Sequence, residues 1–400
     1  MNNLNGGEFL KKILFCLQTM VCGGVEKELI TILNRFNPQE YELSVLLFYS
    51  QDREMEKKIP SNVKLINLRI DKKYYCGSFK AVLQERIKKG ELMEAVKIAK
   101  NRVCKGITVP VSISLNKINA PKELYDYAVC YHMHSPLILK YVAEKIKAKK
   151  KYVWIHNDFV TTGFPIAQYD IWLKEYHAVF GVSERLTSEF QELCPACCNK
   201  AFTLHNIVDK ENILLKAQNV SSLDQDFAQD KKFRIVTVGR FVEQKGFDLA
   251  IKAASILKEQ GIDFTWYAIG YGKDENLMKS LINECNVKDC FIILGRKDNP
   301  YPYMKLADLY VQPSRHEGYA ITIEEAKVLR KMIVCTNFAG ASEQLNNNLT
   351  GIIVEKFSAE NIAKAILPFI VDCEYKNDFQ HKIDVALYED GWKAIQEVFS

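Results

Sequence analysis

The chain has 400 residues, of which 48% are hydrophobic and 26% charged, with a formal net charge of +5. At about 150 residues per domain the length predicts two to three domains, and the composition excludes a disordered tail protein and a collagen-like repeat. No run of about 18 apolar residues occurs, so no transmembrane helix is expected, and the apolar stretch 13–17 is too short for a signal-peptide core. The 12 cysteines are scattered, mostly in apolar runs, which reads as small hydrophobes in a reducing cytoplasm without a disulfide framework.

Strand-then-helix units repeat along the chain. Residues 12–17 (KILFCL) are a short apolar run of the kind a buried parallel strand shows. Gly23 and Gly24 follow it, and Val25, Leu29, Ile30 and Leu33 then recur at helical spacing. Further strands are expected at 43–48, 63–68, 127–131, 152–155, 178–181 and 202–204, and helices at 79–88, 91–103, 136–147 and 184–193. Residues 216–232 (KAQNVSSLDQDFAQDKK) have no apolar period and read as a linker. Beyond it the alternation restarts, with strands at 234–238, 264–269, 291–294, 309–312, 333–336 and 351–354. Helices are expected there at 249–257, 275–285 and 323–329, with a last one through 371 that Ser358 can cap. Two such series predict an α/β protein of two doubly wound, parallel-sheet domains, 1–215 and 233–384, joined by the linker 216–232. The segment 385–400 puts Leu387, Trp392, Ile395, Val398 and Phe399 on a helix able to cover a face of either domain.

Ligands of open α/β sheets bind at the carboxyl ends of strands, where the strand order reverses, so the residues after each strand are the candidates. After 234–238 comes VGRFVEQKGFD, with Gly239 at the strand end and Arg240 and Lys245 before a helix, a suitable pair for a pyrophosphate. Taken alone, the two cations read more simply as solvated surface charges. After 264–269, Gly270-Tyr271-Gly272 would let a ligand approach the backbone, although no third glycine completes a dinucleotide fingerprint. After 309–312 comes PSRHEGYAITIEEA, in which Glu317 precedes a helix and Glu325 lies in its first turns. The amides of Gly318, Tyr319 and Ala320 are expected to open toward an anion, and a carboxylate beside them suits sugar or ribose hydroxyls.

In series these segments resemble one family. VGRFVEQKGFDLAIKA, YAIGYGKD, LADLYVQPSRHEGYAITIEEAKVLRKMIVCT, GASEQL and TGIIV together look like the donor domain of retaining glycosyltransferases of family 4, with the GT-B fold of two Rossmann-like domains facing a central cleft. The first half resembles the acceptor domain of that family more loosely, through Gly23-Gly24-Val25, WIHND, GVSE and LHNIVD. The resemblance implies that Arg240 and Lys245 hold the diphosphate of a nucleoside diphosphate sugar, that Glu317 holds hydroxyls of the transferred sugar and that Glu325 holds the ribose. It implies that Arg296 and Lys297 sit near the base, that Gly23 and Gly24 lie against phosphate and sugar, and that His156 faces the sugar. A core histidine satisfied by a backbone partner is the other reading of His156. The segment 385–400 is expected to pack back on the first domain. The family often has a glycine where Ala320 stands, and the added methyl narrows the space beside the donor. Retention by a front-face route, without a protein nucleophile, cofactor or metal, is implied, with a hexosyl group expected to pass from a UDP-linked donor to a glycan or lipid-linked acceptor in surface polysaccharide synthesis. A non-catalytic nucleotide-sugar binder that partners another transferase is the alternative.

Cys194-Pro195-Ala196-Cys197 lacks a second ligand pair for zinc, and Asp224-Gln225-Asp226 lies in the expected linker, away from the site. Positive charge dominates 72–105 and 145–151. This face fits either a solvated surface or an approach surface for anionic lipid, with Tyr74, Tyr75 and Phe79 at the interface. No nucleic-acid recognition module is visible.

Overall fold

The computed structural model describes residues 10–49, 51, 53–70, 118–346, 349–385 and 391–400, with isolated positions between 87 and 115. Those isolated positions apart, the expected helices at 79–88 and 91–103 and the basic stretch 72–105 lie outside the described residues, as does Leu387. The chain divides into two compact units, one of residues 1–182, 187–204 and 398–400, the other of 183–186 and 205–397.

The first unit is built on a parallel sheet of β1 (Lys11–Leu17), β2 (Tyr41–Tyr49), β3 (Lys64–Ile70), β4 (Tyr125–Cys130), β5 (Ala148–Ile155), β6 (Ala178–Gly181) and β7 (Ala201–Thr203), in the order β3-β2-β1-β4-β5-β6-β7. Residues Ile13, Leu14, Phe15, Cys16 and Leu17 are all 0% exposed. A strand covered on both faces has no polar side, which is why its sequence is a continuous apolar run. The helix Gly24–Arg35 turns Leu29, Ile32 and Leu33 inward at the i, i+3, i+4 spacing, and each buried aliphatic side chain contributes about 1.5–3 kcal/mol. At the end of β6, a Cβ on Gly181 would lie 2.5 Å from Thr187 Oγ1, so only glycine lets the following helix Glu184–Leu193 pack there.

The last three residues belong to this unit. Phe399 is fully buried, its ring 5.3 Å from Tyr127, 5.6 Å from Phe36, 5.9 Å from Tyr152 and 6.0 Å from Phe15. The hydroxyl of Tyr127 donates to Ser400 O at 2.8 Å. The expectation for 385–400 is thus narrowed: residues 391–397 group with the second unit and only 398–400 with the first.

The second sheet is also parallel, with β8 (Phe233–Val238), β9 (Phe264–Ile269), β10 (Phe291–Gly295), β11 (Leu309–Gln312), β12 (Met332–Thr336) and β13 (Ile352–Val354) in the order β10-β9-β8-β11-β12-β13. Its two faces feed separate cores. Ile235, Trp266, Leu309 and Val334 pack with the helices Phe247–Glu259 and Ala359–Val371, whereas Val236, Tyr267, Tyr310 and Ile333 pack with the helix Ile321–Val328. The period of two along each strand and helical cover on both faces make the domain doubly wound. Ser358 caps its helix as expected, its Oγ accepting from Asn361 N at 3.2 Å.

Residues 216–232 are not a linker. They belong to the second unit, where Phe227 is fully buried with its ring 4.8 Å from Tyr267 and 4.9 Å from Tyr303. Ile213 and Ala217 enter the same core from the helix Lys210–Lys216 and its end. One aromatic anchor in a polar stretch carries no periodicity, so the sequence reading moved the boundary too far along the chain.

Candidate functional site

In the second unit the strand order reverses between β8 and β11, and the loops after these strands carry the expected residues. After β8, Gly239 and Arg240 lead into the short turn Glu243–Lys245, and Gly246 opens the helix Phe247–Glu259. Gly246 has φ 66°, and a Cβ there would lie 1.9 Å from Pro313 O. No other residue fits that approach. After β9, Gly270 and Gly272 press on the same loop, since a Cβ would lie 1.8 Å from Gly239 O or 2.3 Å from Phe241 O, respectively. Backbone hydrogen bonds from Phe241 N to Tyr271 O at 2.8 Å and from Arg315 N to Gln244 O at 2.8 Å lace the three loops together. Arg315 adds a two-pronged pair with Asp248, at 2.7 and 2.6 Å.

This frame brings Lys245 onto Glu317. Lys245 Nζ donates to Glu317 Oε1, which also accepts from Ser314 Oγ at 2.8 Å and Gln312 Nε2 at 3.3 Å. Gln312 is itself held, its Oε1 accepting from Tyr310 OH at 2.6 Å and Thr322 Oγ1 at 2.9 Å. A buried network in which each member has partners is rigid. Arg240, by contrast, is exposed, and among the described residues its side chain has no hydrogen bond or ion pair. The site therefore combines one free-standing guanidinium with a paired ammonium and carboxylate. Such a set can take a phosphate and a hydroxyl side by side. Gln312, Ser314 and Arg315 lie in VQPSR, whose spacing carries no chemical signature, and the sequence reading passed over them.

The loop 318–320 is braced by the turn around Ala341–Gln344. A Cβ on Gly340 would come 2.7 Å from Gly318 O. Gln344 holds both backbone groups of Ala320, accepting from its N–H at 2.8 Å and donating to its carbonyl at 2.9 Å. The expectation that three amides open toward an anion is corrected at Ala320, whose N–H is already used. Tyr319 stacks on His205 and its carbonyl accepts from Asn206 Nδ2 at 3.2 Å.

The outer expected residues divide. Arg296 lies over the Tyr271 ring at 5.0 Å, so it joins the glycine turn after β9. Lys297 turns to Asp224, at 2.8 Å, and Tyr303 OH donates to the same carboxylate at 2.8 Å. Asp224 thus ties Lys297 and Tyr303 together within the second unit. Glu325 is buried, 2% exposed, with Oε1 accepting from Tyr301 OH at 2.9 Å.

In the first unit the order reverses between β1 and β4. Gly23 precedes the helix that Gly24 begins, and Glu26 folds back so far that a Cβ on Gly23 would lie 2.5 Å from its Oε2. His156 follows β5 in a buried setting, its ring 4.7 Å from Tyr131 and its Nδ1 3.8 Å from Glu28 Oε2. Burial, with His132 and His134 nearby, holds the imidazole well below its ordinary value, so it is neutral. Glu26 and Glu28, at 4% and 1% exposure, are buried carboxylates beside His132 and His156, and the sequence does not single them out because they sit in an otherwise ordinary amphipathic helix.

The lysine cluster is partly committed. Lys149 pairs with Asp126 at 2.7 Å and Lys151 Nζ donates to Ala143 O at 2.6 Å. Lys147 and Lys150 are exposed. Among the described residues no helix is long and apolar enough to cross a membrane. Nor do three His, Cys, Asp or Glu side chains among them converge as a metal site would require.

Residues 221–383 match the family model of glycosyl transferases group 1. That span contains the whole cluster from Gly239 to Glu325. These residues form a group 1 glycosyl transferase domain. The domain has relatives in bacterial polysaccharide synthesis. The amylovoran biosynthesis glycosyltransferase AmsK of Erwinia amylovora is 30% identical over 148 residues, which is 35% of this chain and 36% of that protein. An N-acetylgalactosaminyltransferase of Campylobacter jejuni, named for a diacetylbacillosaminyl-diphospho-undecaprenol acceptor, is 28% identical over 184 residues, 46% of this chain and 48% of that one. The chain thus spans half or less of the length of these curated relatives. The crystal structure of Anabaena HepE in complex with UDP is similar over 97% of this chain and 98% of that one, with a TM-score of 0.69 and 16% identity. The two parallel α/β units, the second of which contains the group 1 domain, are the Rossmann-like domains of the GT-B fold.

Proposed function

We propose that the protein is a retaining glycosyltransferase that moves a hexosyl group from a nucleoside diphosphate sugar, a UDP-sugar in the first instance, to a hydroxyl of a glycan or lipid-linked acceptor in surface polysaccharide synthesis. One observation carries the reading: Lys245 and Glu317 meet on the two loops that flank the reversal of strand order in the group 1 domain. Arg240 and Lys245 take the diphosphate, and their charge stabilises it as it leaves. Glu317 accepts from hydroxyls of the transferred sugar, held ready by Ser314 and Gln312. Glu325 takes the ribose, Arg296 the base, and neutral His156 a sugar hydroxyl. Loop 318–320 lies against the donor, with Gly318 offering an amide that Ala320 does not and Tyr319 beside it. No side chain acts as nucleophile: the donor phosphate receives the acceptor proton on the face where the bond breaks, which retains configuration. The UDP complex of HepE and the undecaprenol-linked acceptor in the name of the Campylobacter relative support the two substrate classes. The reaction belongs in the cytoplasm, with Lys147 and Lys150 available to an anionic membrane face.

The test is release of nucleoside diphosphate from a panel of sugar nucleotides, with and without glycan and polyprenyl-linked acceptors, and the anomeric configuration of any product by NMR. Turnover with retention, unchanged within about twofold by excess chelator, is the expected result; catalysis then rests on cations rather than a resident metal. A donor that stabilises the protein in thermal shift, by about 2.7 kcal/mol at 100 times its Kd, but is never turned over would instead make it a binding partner of another transferase.

A further inference from the structure

Tyr319 is gripped from two directions by residues more than a hundred positions away in sequence. The His205 ring stacks on it, with centroids 5.1 Å apart and planes at 19°. Asn206 Nδ2 donates to its carbonyl at 3.2 Å. On another side, a Cβ on Gly340 would lie 3.1 Å from Tyr319 Cδ2, so the ring has little room to turn there. His205 is oriented in its turn, its Nε2 lying 3.0 Å from Glu343 Oε2. Glu343 accepts from the amides of Glu184 at 2.7 Å and Arg185 at 3.3 Å as well. Burial pushes that carboxyl up, but these hydrogen bonds together hold it below its ordinary value, so it remains charged and directional.

We propose that His205, oriented by Glu343, is a positioning residue for Tyr319 and thereby sets how tightly loop 317–320 holds a nucleoside diphosphate sugar. The inference rests on the donor-site reading above. The stacked ring is the working part and the carboxylate its support. Nothing in the chemistry of transfer requires a histidine at 205, since among the described residues the side chain meets the loop at Tyr319.

Two variants of the full chain separate ring from hydrogen bond. His205→Gln keeps a polar group within reach of Glu343 and removes the ring, whereas His205→Phe keeps the ring alone. Hydrogen–deuterium exchange of residues 315–322 reports the loop, and calorimetry reports affinity for the tightest binder among UDP-, GDP-, ADP- and dTDP-glucose. In His205→Gln, exchange should be about three- to tenfold faster and affinity weaker by a similar factor, as loss of an aromatic pair produces. His205→Phe should stay within about twofold of wild type in both, and kcat at saturating donor should be unchanged in either. The proposal is overturned if His205→Gln exchanges and binds like wild type, or if His205→Phe is impaired as much as His205→Gln. If the wild type binds none of the four nucleotides while the exchange contrast between the variants persists, the donor reading fails and the positioning of Tyr319 by His205 stands.

Discussion

Lys245 and Glu317 are ion-paired across two loops that follow different strands, β8 and β11, of the second sheet. Their side chains are 17% and 10% exposed, respectively, so the pair is screened less than a surface contact. The carboxylate has two further donors in Ser314 and Gln312, and the ammonium is the partner that a phosphate can draw away. On the proposed reading, donor binding would exchange one charge-assisted contact for two, phosphate on lysine and sugar hydroxyl on glutamate.

Substitution at this pair should therefore separate stability from turnover. Lys245→Ala leaves Glu317 with two neutral donors, so the fold should survive with a loss of about 1–3 kcal/mol. Its turnover should fall by roughly 10²–10³, the usual cost of one missing transition-state donor. Glu317→Gln keeps size and removes charge, and should impair selection among donor sugars as well as turnover. Urea denaturation and nucleoside diphosphate release measure the two effects. Near-wild-type release by both variants would displace the site.

Arg240 offers a cleaner contrast, because it is exposed and outside the buried network. Arg240→Ala should change stability by no more than about 0.5 kcal/mol while cutting turnover by roughly 10². A variant with unchanged melting and unchanged turnover would show that the guanidinium is only a solvated charge.

What the sequence revealed follows from where the information lies. Strand-end loops rich in glycine announce themselves, so the placement of Gly239, Lys245, Gly270 and Glu317 on loops after strands is legible from residues that neighbour one another in the chain. The sheets were legible because fully buried strands such as β1 are continuous apolar runs. Features made by partners distant in sequence were not. Gln344 occupies the Ala320 amide from 24 residues away, and Lys297 turns to Asp224 from 73 residues away. The linker reading failed for the same reason, since Phe227 is the one aromatic residue of that stretch and its partners, Tyr267 and Tyr303, lie on other elements. His205 lies within LHNIVD, but that run says nothing of Glu343, the partner 138 residues later that orients it.

Gly246 tests the frame without touching the chemistry. Its φ of 66° and the 1.9 Å approach of Pro313 O to any Cβ leave no room for a side chain. Gly246→Ala should lose about 2–4 kcal/mol, from the left-handed conformation and the displacement of the neighbouring loop combined. Donor affinity should fall with it, because Lys245 is the preceding residue. Equal melting temperatures for variant and wild type would mean that the two loops do not pack as described.

The acid limb of stability should report the Asp248–Arg315 clamp. Burial raises the Asp248 carboxyl, but the two-pronged hydrogen bonds from Arg315 outweigh it, and the net shift is downward. A carboxyl whose folded value lies below its unfolded one binds fewer protons in the folded state, so stability rises with pH across that interval. Its contribution is complete above the unfolded value near 4 and drains away as pH falls through the lower folded value. Both side chains are about a third exposed, 31% and 32%, so solvent and salt weaken the effect. Other carboxyls held low, Asp224 and Asp230 among them, add to the same limb, and the informative quantity is the difference between two proteins. Urea midpoints measured from pH 3 to pH 7 should fall steeply for the wild type below about pH 5 and less steeply for Asp248→Asn, the two curves converging at the acid end. Arg315 N would still bond Gln244 O in the variant, so the loop should loosen without unfolding. Parallel curves across the whole range would show that the clamp carries no differential proton binding, and that the loops after β8 and β11 are held by their backbone contacts alone.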